Sequence, residues 1–442
     1  MQKELSVRTL VFNVAGLMAV FVGVHLLCLQ FYPKPELDPM SLSDFYPMSV
    51  FHFRQPAWWS VFPAAASVLV FWAWQGRAAA EPRWTRQWLV IFSLLLLTTL
   101  TLGFQFGLDY PTAGWGEGAS EYWQDAMIIQ GPLWFLRHFH EVQPYLLVHA
   151  MTHPPGPVLL YWCLGALLVQ PWLVSVAVAA IALGLSLWTW DRLLRRVFGE
   201  ARPEMLFLLG LLPGVQVYYL AVMDAIFAGV MLAAVLAFLE EDAGSAWRSA
   251  FWIWLATALS FGALFLGPVL GGMLLWRRRG WGRAAYILLL FVAAWALVYR
   301  LSGYNQWLGF RTASALENPG GFLATANPRG YFWYRIGSVL EISFYFTPFL
   351  CVLVPRGLQW LGQRSKEAWV LYWLGVGTVA AILLSGAMKI GEAARLCLFL
   401  IPFLLLPVAA VWPHLSRPRQ RSLLALVFAQ SLLMQLFGFY LW

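Results

Sequence analysis

The chain has 442 residues, 61% of them hydrophobic and only 11% charged, with a mean hydropathy of +0.67. A soluble domain carries roughly 25% charged residues, so this composition excludes soluble, disordered and fibrous proteins and describes an integral membrane protein. At about 20 apolar residues per span the length admits about a dozen transmembrane helices. The net charge of +8 does not signal nucleic acid, because Lys and Arg cluster between apolar runs, as they do in cytoplasmic loops.

Lys3 and Arg8 precede the first apolar run, about 9–30. It is too long for a removable signal peptide and lacks a small-residue cleavage site, which predicts an uncleaved helix with a cytoplasmic N-terminus. Further spans are predicted at about 58–75, 88–107, 171–190, 205–223, 225–240, 250–263, 264–276, 284–300, 337–354, 368–387, 396–412 and 422–441, about 13 in all. The fold class is therefore all-α and polytopic: two leading helices (1–87), a core (88–300) and a C-terminal block (301–442). This threading puts 20 of the 29 Lys and Arg residues inside, which supports the orientation. The run 156–169 is apolar but short and bounded by prolines, so it predicts an interfacial or re-entrant helix. The pair 250–263 and 264–276 also reads as one long tilted helix. Cys28, Cys163, Cys351 and Cys397 show no metal or redox spacing and read as small core residues.

Acids collect on the outer side, where two loops, about 108–170 and 301–336, are long enough to fold. The first contains Asp109, then Ser120-Glu121-Tyr122-Trp123-Gln124-Asp125. Ser120 is a candidate helix cap, and Glu121 and Asp125, four apart, share a helix face. A carboxylate just above the membrane suits removal of a proton from an acceptor hydroxyl, while an amphipathic surface helix explains the same residues. His149 and His153 have the i, i+4 spacing of a metal pair, but Pro154 biases His153 out of the helix and favours a hydrogen-bonding role at a rigid Pro-Pro-Gly corner. Asp224 stands alone where two apolar runs meet, either a site acid or a loop marker. In Lys389-Ile-Gly-Glu392-Ala-Ala-Arg395 the cations suit a phosphate, or Glu392 and Arg395 form an ion pair. Arg329 and Arg335 lie among aromatic rings that suit an anionic headgroup, a sugar ring or an aromatic belt.

The order of these features resembles the GT-C superfamily of integral membrane glycosyltransferases, above all the bacterial protein mannosyltransferase and lipid A aminoarabinose transferase types. The residues that carry the likeness are the Glu121-Tyr-x-x-Asp125 segment, the His153-Pro154-Pro155-Gly156 corner, the Pro213, Tyr218-Tyr219 and Asp224 series, and Gly391-Glu392-Ala-Ala-Arg395. It runs from about 88 to 410, and the His-Pro-Pro-Gly corner is its most specific part. The resemblance implies inverting transfer of a sugar from a polyprenyl-phosphate or polyprenyl-diphosphate carrier to a glycan, lipid or protein acceptor on the non-cytoplasmic face. It implies a first-loop carboxylate as base, here Asp109, Glu121 or Asp125. Substrate contacts fall to His149, His153, Asp224, Arg329, Arg335, Lys389, Glu392 and Arg395. No cofactor is expected, and a lone acid at Asp224 disfavours a divalent metal site. The chain departs from the pattern in two ways: Asp109 is followed by Tyr110 rather than by a second acid, and two spans precede the family-like core. The expected location is the inner cell membrane, multi-pass. The rival class is a lipid or polysaccharide translocase or a secondary transporter, which would concentrate its charges at the bilayer midplane.

Overall fold

The computed structural model describes residues 7–31, 51–53, 55–78, 80–81, 83–103, 121–220, 222–317, 323–326, 328–386 and 393–440. They are almost entirely helical, as expected. The extended element among them is one antiparallel pair, Phe51–Phe53 with Gly438–Tyr440. Among the described residues, three helices are long and apolar enough to cross a membrane: Pro171–Phe198, Trp281–Ser302 and Lys366–Ser385. The chain forms two compact units whose segments alternate along the sequence. The first is Met1–Phe106, Trp190–Tyr219 and Phe322–Trp442; the second is Gly107–Thr189 and Leu220–Gly321.

In the first unit the predicted span 205–223 is two helices, Pro203–Leu211 and Pro213–Tyr218. Leu212 between them is non-helical (φ −58°, ψ 140°), because a residue before proline is pushed out of the α region. The polar groups freed by this break are satisfied from neighbouring helices. Thr98 Oγ1 donates to Gln216 Oε1 at 2.7 Å, Gln216 Nε2 to Gly210 O at 2.6 Å, Ser431 Oγ to Leu211 O at 2.6 Å, and Gln435 Nε2 to Gln216 O. Such partners are needed in a fully buried segment, where an unsatisfied group is costly. Residues 328–336, expected as loop, belong to helix Pro328–Phe346, which starts on a proline pre-set for the first turn. The helix ends where Thr347 takes a positive φ of 78°.

The second unit is built around helix Met223–Leu239, in which every residue but Asp224 is buried. Arg283 closes its C-terminal end, donating to Phe238 O at 2.8 Å and Ala237 O at 3.0 Å. The pair 250–263 and 264–276 is not one long helix. Helix Ser245–Leu259 stops at extended Ser260, whose Oγ accepts the Gly262 N–H at 3.1 Å, and a tight turn leads into Leu266–Arg277. Within the segment 108–170 the described residues form short helices, as expected: Glu121–Ile128, Pro132–Val142, Val148–Met151 and Gly156–Leu168. The second loop also folds, with helix Gln306–Glu317. Of the cysteines, Cys397 is buried as expected, Cys351 is half-buried and Cys163 is exposed, so packing does not explain the last. The side chain of Cys28 lies outside the described residues.

Candidate functional site

Helix Glu121–Ile128 carries Tyr122 and Asp125 one turn apart; Tyr122 faces the His-Pro-Pro-Gly corner and Asp125 faces the start of helix Val148–Met151. Asp125 is 3% exposed and accepts the Leu147 N–H at 3.2 Å, which fixes the start of helix Val148–Met151 against its own helix. The Tyr122 ring packs against His149 (6.1 Å between centroids), against His153 edge-on (5.8 Å) and parallel to Tyr161 (6.2 Å). The short helix ends at Met151, so His149 and His153 do not share a helix. Instead, His153 Nδ1 donates to His149 O at 2.8 Å, which takes one ring nitrogen from metal ligation. Among the described residues no three His, Cys, Asp or Glu side chains gather as metal ligands.

The corner owes its geometry to glycine. A Cβ on Gly156 would lie 2.0 Å from Ala258 O and 2.7 Å from its carbonyl carbon, so only glycine lets helix Gly156–Leu168 meet the end of helix Ser245–Leu259 backbone to backbone. Gly156→Ala must push two backbones apart. It should cost about 1–3 kcal/mol or more and lower the thermal unfolding midpoint of purified protein.

Asp224 sits half-buried in the first turn of helix Met223–Leu239. Burial raises the pKa of the Tyr161 phenol, and the nearby Asp224 carboxylate raises it further. Tyr161 therefore stays a neutral hydroxyl, able to donate a hydrogen bond. The second unit thus gathers Tyr122, Asp125, His149, His153, Tyr161 and Asp224 from three separate stretches of chain. Asp109 lies outside the described residues, as does the side chain of Glu121, although its backbone belongs to the helix.

The same unit holds a clasp that the sequence did not suggest. His140 Nε2 accepts the Asn305 N–H at 2.9 Å and its ring stacks on Tyr304 at 5.3 Å, while Gln143 Nε2 donates to Gly309 O at 3.1 Å. Together they tie helix Pro132–Val142 and the turn after it to the start of helix Gln306–Glu317. Burial pushes the His140 imidazole below its ordinary value of 6.5. A depressed folded-state pKa means this contribution is full above pH 6.5 and declines as pH falls through 6.5 towards the folded value. Protection of the Asn305 amide, corrected for intrinsic exchange, should fall on acidification over that window. In His140→Gln, whose amide oxygen accepts without titrating, the dependence should flatten.

In the first unit two of the predicted cations, Arg335 and Arg395, are buried. Arg335 is 7% exposed and Arg395 5% exposed, and Glu341, 1% exposed, accepts the Ala393 N–H at 3.3 Å through Oε2. Arg335 lies over the Tyr331 ring at 5.4 Å. Tyr218 stacks on Tyr345 at 5.0 Å within the same unit. Glu341 is a buried acid well inside helix Pro328–Phe346. Lys389 and Glu392 lie outside the described residues, as does the side chain of Arg329. The sequence reading missed Tyr161, whose only signal was a polar tip inside an otherwise apolar run.

No family model and no curated protein matches the sequence. The structure is similar to the crystal structure of ArnT from Cupriavidus metallidurans bound to undecaprenyl phosphate, at 16% identity and a TM-score of 0.48 over 76% of this chain. The match spans 62% of the length of that protein.

Proposed function

We propose that the protein is an integral membrane glycosyltransferase that moves a sugar from a polyprenyl-phosphate carrier to an acceptor hydroxyl on the non-cytoplasmic face, with inversion. The observation that carries this reading is the cluster of Tyr122, Asp125, His149, His153, Tyr161 and Asp224, formed around the family-like Glu-Tyr-x-x-Asp segment and His-Pro-Pro-Gly corner. Direct displacement at an anomeric carbon needs a carboxylate within hydrogen-bond reach of the attacking hydroxyl, and neutral hydroxyl and imidazole groups orient the polyol. Asp125, Glu121 and Asp109 are the candidate bases. Asp224 and the two histidines are assigned to sugar or acceptor contacts. Arg395 and Arg335, with Arg329 and Lys389, are assigned to the carrier phosphate, whose negative charge grows as the glycosidic bond breaks. Glu392 is assigned to orienting Arg395.

One observation favours the rival class. Glu341 is a buried acid within a helix of a membrane protein, the kind of residue that marks ion or substrate pathways. The deciding experiment offers purified protein in detergent a panel of polyprenyl-phosphate pentoses and hexoses with membrane-extract acceptors. Glycosylated acceptor formed without any sealed membrane supports the transferase. Vectorial movement in proteoliposomes without product formation supports the translocase.

A further inference from the structure

Helix Val7–Phe31 belongs to the first unit and is held there by little. Among its described side chains Phe21 is the buried one, 6% exposed, and its ring stacks on Phe344 at 5.2 Å. Nearer its N-terminal end the helix borders a groove of about 440 Å³ that separates it from the end of the short helix Pro348–Cys351. That volume falls within the range of about 300–1,000 Å³ that holds small molecules. Phe12, Asn13, Gly16 and Leu17 form one wall, and Cys351 and Val352 belong to the other. A Cβ on Gly16 would meet nothing within 4 Å, so the groove runs open past the helix backbone there.

The polar groups along this wall are graded by depth. Arg8 stands one turn before Phe12 on the same helix face, is exposed, and makes no ion pair among the described residues. At 1.5 Å per residue the 25-residue helix is about 37 Å long, about 7 Å more than a hydrocarbon core. Its first turn therefore reaches the headgroup layer, which places Arg8 among headgroups. Asn13 lies about 7.5 Å further along the axis, at the inner edge of that layer, where the ester carbonyls of a phospholipid stand. Of the two polar side chains in the groove, Cys351 donates to Ser343 O at 3.5 Å, whereas the exposed Asn13 amide has no hydrogen-bond partner among the described residues. An amide left bare at the edge of hydrocarbon is costly. Gly16 and Leu17 lie deeper again, beside the acyl chains.

We propose that this groove binds one anionic phospholipid, with its phosphate on Arg8, an ester carbonyl on the Asn13 amide and one acyl chain running past Gly16 between Phe12, Leu17 and Val352. The charge on Arg8 selects an anionic headgroup over a zwitterionic one. The bound lipid fills the gap that leaves the helix held mainly through Phe21. The site is separate from the sugar-transfer residues, and its test needs no transferase activity.

The test uses the full chain, delipidated, in a detergent with an uncharged headgroup. Its unfolding midpoint is followed against phosphatidylglycerol, phosphatidylcholine and a polyprenyl phosphate. Phosphatidylglycerol should raise the midpoint at a lower concentration than phosphatidylcholine does. Gly16→Leu fills the groove from a position with open space, so it should fold, and it should abolish the response. Gly267→Leu makes the same change at an equally open helix position in the other unit and should leave the response intact. Arg8→Gln, at an exposed position where folding is not at stake, should shift the required phosphatidylglycerol concentration upward by about tenfold, the weight of one charge-assisted contact. It should bring the two phospholipids level. The proposal is overturned if Gly16→Leu keeps the parent's response, or if Arg8→Gln leaves the preference for phosphatidylglycerol unchanged. It is equally overturned if the polyprenyl phosphate acts through the same residues at lower concentration than phosphatidylglycerol, which gives the groove to the sugar carrier, or if Gly16→Leu splits a lipid-free dimer, which gives it to a second copy of the chain.

Discussion

Asp125→Asn should lower sugar transfer by roughly 10²-fold or more if Asp125 is the base, the usual contribution of a positioned proton acceptor. Folding should be retained, because the asparagine amide oxygen can still accept the Leu147 N–H that Asp125 holds at 3.2 Å. The same substitution separates catalysis from support. A purely positioning carboxylate would be largely replaced by Asn, whereas Asp125→Ala would strand a buried backbone donor at a cost of about 1–3 kcal/mol. Turnover measured at saturating donor for Asp125→Asn, Glu121→Gln and Asp109→Asn assigns the role. Full activity in all three variants would remove the first-loop acids from the mechanism.

Arg395→Ala should reduce transfer from a polyprenyl-phosphate sugar far more than Arg311→Ala does, by roughly 10²-fold for loss of a donor that stabilises developing charge. Arg311 is the matched control, an exposed arginine on helix Gln306–Glu317. Arg395 is 5% exposed, so its ion has been withdrawn from water and depends on what the fold places beside it. Arg395→Lys should rescue little, since the planar fork is lost. The comparison is made at matched thermal stability; equal and small losses in the two alanine variants would return Arg395 to a packing role.

Local backbone rules made part of this legible from sequence. Pro154 and Gly156 announced a rigid corner, and the corner is there, because proline and glycine restrict the chain wherever they stand. The short helices of the first outer loop followed from apolar runs too brief to span. Long-range partners left no such trace. Nothing in the sequence tied Asp125 to Leu147, or His140 to Asn305, contacts that depend on how the segments return to each other. Helix Pro328–Phe346 was cut short in the reading because its first turns carry Arg329, Tyr331 and Arg335. A hydropathy pattern takes such residues for loop, although the backbone is helical. The break at Leu212 failed the opposite way: the run is apolar throughout, and its hydrophobicity outvoted Pro213.

That same break carries a consequence for biogenesis. The carbonyl of Leu211 is satisfied by Ser431, which is translated 220 residues later, and that of Gln216 by Gln435. As the ribosome feeds the chain into the bilayer in order, the Pro203–Leu211 and Pro213–Tyr218 pair must wait with bare carbonyls until helix Arg417–Phe437 arrives. Throughout synthesis the nascent protein is therefore incomplete at its centre, and it offers membrane chaperones and quality-control proteases a long interval in which to tell finished molecules from stalled ones.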